Sequence, residues 1–571
     1  MHWTQTAKWA STLALVLLLG CPKPPDGPRF MGAGHNEAQH GGTFVFHHES
    51  TVKSLDPHMA FDELSNMAIK LMFDGLLDYD NETNMVPMLA KSLPSISDDG
   101  KTFIFELRKG IRFHNGRALT AHDVRWSMEH MLDPDVGSPG FTFYTQLQGV
   151  DAYREKKTKH ISGITVKDNY TIEFQLTEPD QTFLNAMAMT FAYPVPKEVY
   201  EKYPMAVSQH IFGTGAFKLQ EWESGVKLVF GRNKDYWDKP RPYPDTMVYL
   251  ENLTRDAAMM RFRNGELDHA HRFAPADYLF LKNSSKWAPY RAEYADINLW
   301  GVVMNCGMPP FNNVHLRRAV SFALDREGWK KARNNRLRVT DQPIPPPLLG
   351  YDPELKGRQT YDIAKAKEEM RLAGYPEGLP EEVDMWIGHG NTGRFYGELT
   401  QQDLAKIGIK IRLKPVAFAL YLEETGKPNR VPMMMSGWSQ DFPDPADFLD
   451  ILFHSRAIHE HDSENRSFYR NPKLDALLDK GRIEQDKEKR RVLYLRASEI
   501  LAQDAPWAFM WNDLKTEAWQ PYVKGYTPHP VWSEMYRDVW LDLPRRRIAQ
   551  AARRFKESFF ALLGPLHKGN N

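Results

Sequence analysis

Between Met433 and Phe448 the chain reads M-M-M-S-G-W-S-Q-D-F-P-D-P-A-D-F, which sets three carboxylates, Asp441, Asp444 and Asp447, among Trp438, Phe442, Phe448 and two prolines. A carboxylate among apolar side chains is costly unless a cation or hydrogen-bond donors meet it. The chemistry on offer is capture of a positive group, and Asp441 is the candidate to do it. Pro443 and Pro445 fix φ and stop a helix, so Asp441 is expected on a rigid turn after the apolar run. The same residues also suit a plainer role, an Asx turn capping a helix from Asp447.

Other spacings point to other chemistries. Gly388-His389-Gly390-Asn391-Thr392-Gly393 is a G-x-G-x-x-G placed between a strand pattern and a helix pattern, as a dinucleotide site demands. That fingerprint also needs an acid at the end of the second strand, and here the strand ends Arg412-Leu413-Lys414-Pro415. The glycines are expected to be loop residues at the edge of a cleft. Histidines gather at His47-His48, at His269 with His271, and at His454, His459 and His461. Without an H-E-x-x-H, and with His459 and His461 two residues apart, most are expected on the surface, with no metal assigned. The sequence holds no G-x-S-x-G elbow, no phosphate-binding loop and no C-x-x-C, so an enzyme reading lacks a nucleophile or a metal motif.

A chain of 571 residues exceeds one ordinary core, so two or three domains are expected. Seventy-three basic and seventy-three acidic residues cancel, which argues against nucleic acid as a partner. At the N-terminus, Lys8 precedes an apolar run over Trp9–Leu19 that is too short to span a bilayer and reads as a secretory signal, residues 1–20. Residues 21–41 are rich in Pro and Gly and read as a tether. Cys306 is the only cysteine besides Cys21, so an intrachain disulfide in the mature body is not expected.

The elements that must position Asp441 follow from hydrophobic period. Thr43–His48 reads as a strand and Glu63–Phe73 as a helix. Val383–Ile387, Arg394–Ile407 and Ile409–Leu413 form a βαβ unit, hence a parallel sheet. Phe103–Leu107, Ile161–Val166 and Thr171–Leu176 are short strands joined by turns, an antiparallel pattern. The fold class is α/β.

Several blocks resemble a known family. S-L-D-P-H (Ser54–His58), F-D-G-L-L (Phe73–Leu77), S-D-D-G-K-T-F (Ser97–Phe103), G-T-G-A-F-K-L (Gly213–Leu219), R-N-K-D-Y-W (Arg232–Trp237) and R-N-G-E-L-D (Arg263–Asp268) come in this order. L-R-R-A-V-S-F-A-L-D-R-E (Leu316–Glu327), Y-R-N-P-K-L-D (Tyr469–Asp475) and D-A-P-W (Asp504–Trp507) follow. Together they are similar to the oligopeptide and dipeptide solute-binding proteins of ABC importers, over residues 42–543. The resemblance implies a two-lobed periplasmic-binding-protein fold with a small inserted domain and a cleft between the lobes. It implies lobe I at 42–84, 210–312 and 516–543, the inserted domain at 85–209 and lobe II at 313–515. L-L-G-C (Leu18–Cys21) resembles the bacterial lipobox, with Cys21 as the lipidated residue, although Pro22 is not typical after it.

The same resemblance implies a monomer in the periplasm or on the outer face of the cytoplasmic membrane, capturing a peptide or peptide-like solute for an ABC permease and ATPase complex. In the family's peptide binders the Asp of G-W-x-x-D holds the ligand's α-ammonium, and Gly437, Trp438 and Asp441 match that motif. By position, Phe61, Asp62 and the segment Phe141–Tyr144, Tyr144 among them, would line the cleft. Met435 and its neighbours offer no Arg or Lys for a ligand carboxylate. A nickel-type binder of the same family is the alternative, and an enzyme on these lobes a further one. No cofactor is assigned.

Beyond the match, residues 544–571 are expected to form a basic amphipathic helix. In R-R-R-I-A-Q-A-A-R-R-F-K-E-S-F-F-A-L-L, Ile548, Ala551, Ala552, Phe555, Phe559, Leu562 and Leu563 share one arc of the wheel, with Arg546, Arg553, Arg554 and Glu557 outside it. Such a face suits docking on the protein's own body, or an anionic membrane surface.

Overall fold

The computed structural model describes residues 27–203, 207–210 and 212–544. The residues read as a secretory signal, Cys21, and residues 545–571 of the expected C-terminal helix lie outside them. The expected strands and helices form with small shifts of their ends. Strand β1 (Thr43–His47) alternates, with Phe44 and Phe46 fully buried. The helix Glu63–Met72 follows, with Asp62 as its N-cap, accepting from the Ser65 amide at 3.0 Å.

A short hairpin of β2 (Leu77–Tyr79) and β3 (Met85–Pro87) leads into an antiparallel four-stranded sheet. Its strands are β4 (Ser95–Ile96), β5 (Thr102–Glu106), β6 (Ile164–Asp168) and β7 (Thr171–Gln175), in the order β4-β5-β7-β6. Phe103, Phe105, Ile172 and Phe174 fill its buried face. A second four-stranded sheet has the order β1-β10-β9-β8, with β8 (Phe217–Glu223), β9 (Lys227–Arg232) and β10 (Thr246–Leu250). Here β1 and β10 run parallel although some 200 residues separate them.

The largest sheet runs β11-β18-β13-β17-β15-β16, with β12 and β14 also paired to β18. Its members are β11 (His269–His271), β12 (Arg291–Ala295), β13 (Asn298–Met304), β14 (Leu337–Val339), β15 (Val383–Gly388), β16 (Ile411–Val416), β17 (Met433–Ser439) and β18 (Trp507–Trp519). The expected βαβ unit is there: β15 and β16 pair in parallel around the helix Asn391–Ala405. The thirteen-residue β18 pairs with β13 through its first half and with β12 and β11 through its second. One continuous strand thus joins two parts of the molecule. Strand β13 pairs with β17 from the 313–515 segment, although it lies before residue 312 in the chain.

Residues 27–41 do not hang free. Phe30 packs against the core that holds β1, and the Asp542 carboxylate accepts from the backbone of Gly34 at 2.9 Å and of His35 at 3.1 Å. The Pro and Gly content that reads as a loose tether here serves an extended segment pinned by one acid. Among the described residues, no helix is long and apolar enough to cross a membrane.

Candidate ligand-binding site

Strand β17 delivers the acidic segment to the wall of a cavity of about 600 Å³. Gly437 pairs with Trp300 of β13, and a Cβ there would lie 2.4 Å from the Trp300 ring, so only glycine lets that indole lie across the strand. Trp438 points to the opposite face. It packs on the core that holds the helix Pro445–Phe453, and its indole donates to Asp447 Oδ2 at 3.2 Å. Of the three residues that match G-W-x-x-D, Gly437 and Trp438 do not line this cavity: the glycine lies under the Trp300 ring and the indole is turned to the opposite face.

The three carboxylates have three different jobs. Asp444 caps the helix Pro445–Phe453, accepting from the Ala446 amide at 2.9 Å, and pairs bidentately with Arg490 at 2.7 and 2.8 Å. The Asx cap anticipated in this stretch thus begins at Asp444. Asp447, fully buried, accepts the Asp441 amide at 3.0 Å and so fixes the turn. Asp441 alone faces the cavity, and no cation lies within 4 Å of its carboxylate among the described residues. Burial, reinforced by the Glu464 charge, pushes its pKa up to about 7.

Opposite stands a wall from the first third of the chain. Phe61 is 52% exposed and approaches Phe191 at 5.6 Å, and Lys70 lies 3.8 Å over the Trp532 ring while donating to Tyr193 at 2.7 Å. Asp62 does not line the cavity; its oxygens are held by Ser65 as the helix cap, and Glu63 takes the cavity position. Tyr144 is also corrected. It is fully buried, donates to the Ala186 carbonyl at 2.7 Å and belongs to the core of the 85–209 segment, because the 3₁₀ turn Pro139–Tyr144 rotates it inward.

The floor is a network of charges that already have partners. Glu63 pairs with Arg272 and accepts from Ser533 at 2.9 Å. Lys515 bridges to Asp296 at 3.1 Å. His271 pairs with Glu534; burial opposes its charge, but that carboxylate outweighs the cost and raises its pKa. Glu517 accepts from Tyr294 and Tyr526. Asp513 accepts from Trp300 at 2.8 Å, Trp511 at 3.1 Å and Asn298 at 3.2 Å. Behind the floor, His47 and His48 stack edge-on to His271, and burial drives their pKa values down to about 2 and about 3.

His47, His48, His269 and His271 are therefore buried neighbours rather than the surface residues expected, because β1 and β11 come together there. His454 is buried too. Among the described residues, no group of three or more His, Cys, Asp or Glu is arranged to hold a metal ion. Nor do the glycines 388, 390 and 393 reach the cavity; a Cβ on Gly393 would stand 2.3 Å from the Gly388 carbonyl, so they close a tight strand-to-helix turn.

Two cavity residues had no signal in the sequence near Asp441. Arg333 and Arg336 enter from the turn between the helix Arg326–Ala332 and β14, where Asn334 and Asn335 both take left-handed backbone, with φ of 55° and 58°. The Arg336 amide closes this turn on the Arg333 carbonyl at 3.1 Å.

Residues 84–460, more than half of the chain, match the family model described as "Bacterial extracellular solute-binding proteins, family 5 Middle". The chain belongs to the bacterial extracellular solute-binding proteins, family 5. This family 5 protein is 28% identical to di/tripeptide-binding protein 1 of Pseudomonas aeruginosa, over 77% of this chain and 83% of that one. It is 26% identical to heme-binding protein A of Haemophilus influenzae, over 93% and 98%. Among solved structures it resembles the periplasmic binding protein DppA of Helicobacter pylori in complex with the peptide STSA. That match has a TM-score of 0.72 and 27% identity, covering 88% of this chain and 99% of that one. The family 5 fold here is the two-lobed one of periplasmic peptide-binding proteins.

Proposed function

We propose that this protein captures a peptide or peptide-like solute between two lobes and delivers it to an ABC permease and ATPase complex, without catalysis and without a cofactor. The observation that carries the reading is the Asp441 carboxylate, held on a rigid turn in the cavity with no cation at hand among the described residues. An α-ammonium supplies that cation. Lobe I is assigned to 42–84, 210–296 and 516–543, the inserted domain to 85–209 and lobe II to 297–515, moving β13 to the sheet it pairs with. Contacts that hold the 85–209 segment to lobe II support closure over a ligand: Arg482 on Asp180 at 2.8 Å, and the Gln181 amide on the Arg482 carbonyl at 2.9 Å. Mass spectrometry of small molecules released on denaturing the purified protein tests the reading. Peptides are expected, and a solute without a free ammonium would overturn the role of Asp441.

Binding is expected to depend on pH through Asp441. A carboxyl whose folded pKa is raised above its unfolded value holds a proton in the native state that the unfolded chain has lost. Its contribution to stability therefore falls as pH rises from about 4 to about 7. An ammonium ligand needs the ionised form, so binding below pH 7 must expel that proton. Affinity should rise roughly eightfold from pH 6 to pH 7.5, with proton release at the lower pH. Calorimetry in buffers of different ionisation enthalpy reads both, and a flat profile would mean that Asp441 is already ionised.

Cys21 is proposed to carry the lipid that holds the protein on the outer face of the cytoplasmic membrane. Two acyl chains at about 0.8 kcal/mol per buried CH₂ suffice for stable anchoring. Cys21→Ala should release the protein in soluble form in cell fractionation. Wild-type protein found wholly soluble, with another N-terminal residue, would remove the anchor.

A further inference from the structure

The turn that carries Asp441 is anchored in one part of the molecule and reaches into two others. Its backbone belongs to the segment assigned to lobe II. The Gln440 amide donates to the Ile297 carbonyl at 3.1 Å, the Asp441 amide to Asp447 at 3.0 Å, and the Asp444 amide closes on the Phe442 carbonyl at 2.9 Å. The side chains leave that segment. Between them Asp441 faces the cavity. The Gln440 side-chain amide donates to the Pro530 carbonyl at 3.1 Å and the Val531 carbonyl at 3.4 Å, on the segment assigned to lobe I. The Phe442 ring, 6% exposed, sits in the core of the inserted domain, which is built otherwise from buried residues of 76–192 and from Val531. There it meets Phe143 edge-on, with ring centroids 6.4 Å apart. Among the described residues, Phe442 is the one side chain of 297–515 buried in that core, whereas Phe448, six residues on, packs with the core of its own segment.

An aromatic ring seated in a neighbour's core is the kind of anchor on which an interface depends. Parting the two domains would return both the ring and its seat to water, and closing them would bury both again. Phe442 is not among the walls of the cavity, so it acts without touching the solute. From its place beside Asp441 on one rigid turn, we propose that Phe442 is the closure anchor of this protein: a positioning residue that holds lobe II on the inserted domain once Asp441 has taken its ligand. Gln440 makes the smaller contact of the same turn, to lobe I. This rests on the capture reading above and adds to it the side chain that keeps the lobes shut. Its effect on binding follows from linkage. Contacts made only in the closed form raise the closed fraction, and the observed affinity falls in proportion when that fraction falls.

The test uses the purified full-length protein with alanine peptides of two, three and four residues, read by calorimetry and by small-angle X-ray scattering. The wild type should bind the length that fits and contract on binding. Phe442→Ala should bind the same peptide at least tenfold more weakly and, at saturating peptide, stay as extended as the ligand-free protein. Phe442→Leu refills most of the seat and should show both effects at smaller size, so the result does not hang on whether the alanine variant folds. Either variant binding with the affinity of the wild type would overturn the anchor while leaving peptide capture intact. So would a variant that binds weakly yet contracts fully, because the ring would then act on the site rather than on closure. A wild type that binds without contracting overturns it with no variant needed. If no peptide of any length binds, the capture reading itself fails, and this inference with it.

Discussion

Asp441→Asn is expected to abolish measurable peptide binding while leaving the ligand-free protein at least as stable as the wild type. The carboxylate meets its cation only when a ligand is present, and closure removes the pair from water. Truncating one partner of such a desolvated pair costs roughly 2–5 kcal/mol, on the order of a 30- to 3,000-fold loss of affinity. Stability moves the other way. Asp441 is raised to about 7 by burial with no partner to hold its charge, so above that pH the ligand-free protein carries an unfavourable carboxylate. Asparagine keeps the shape and the backbone contact to Asp447 without the charge. Calorimetry at pH 7.5 with a peptide found to co-purify reads the first effect, and thermal melts at pH 5.5 and 8 read the second. Equal affinity in wild type and variant would remove Asp441 from the site.

How much of this was legible before folding depends on distance along the chain. The local signals were sound: the alternation of Phe44 and Phe46 gave β1, the βαβ unit over 383–416 formed, and the acid between Trp438 and Pro443 came to face a cavity. Readings that needed a facing direction did less well. Nothing in P-G-F-T-F-Y tells which ring turns inward, and the 3₁₀ turn buried Tyr144 while leaving Phe143 to stack on Phe191 at 6.1 Å. Trp438 sits one residue from Gly437, and a strand sends neighbours to opposite faces, so one motif could not wall the cavity at both positions. Arg333 and Arg336 were out of reach for another reason. They lie about a hundred residues before Asp441, on a turn set by two asparagines at positive φ, and only the packing of the large sheet brings them to the same cavity. The buried histidines teach the same lesson, since the parallel pairing of β1 with β10 helps set β1 beside β11.

The largest effect on stability should come from a residue that never touches the ligand. Arg490 is 8% exposed and Asp444 6%, and their bidentate pair sits behind the turn that carries Asp441. Arg490 also donates to the Gly481 carbonyl at 2.8 Å, joining the helices Pro472–Ile483 and Lys487–Asp504 to the cap of the helix Pro445–Phe453. Removing one partner of a buried pair leaves the other charge without compensation, which costs about 3–5 kcal/mol. Arg490→Met is therefore expected to unfold this part of the molecule at clearly lower temperature, by roughly 6–20 °C at about 2–4 °C per kcal/mol for a domain of this size. The guanidinium offsets the buried Asp444 charge, so a second substitution identifies the cause. Adding Asp444→Asn to Arg490→Met should recover part of the stability, because the amide oxygen can still cap Ala446 without burying a charge. If Arg490→Met melts like the wild type at pH 7.5, the pair does not hold this turn. If it melts low but Asp444→Asn restores nothing, the loss comes from the Gly481 contact and from packing rather than from the stranded carboxylate.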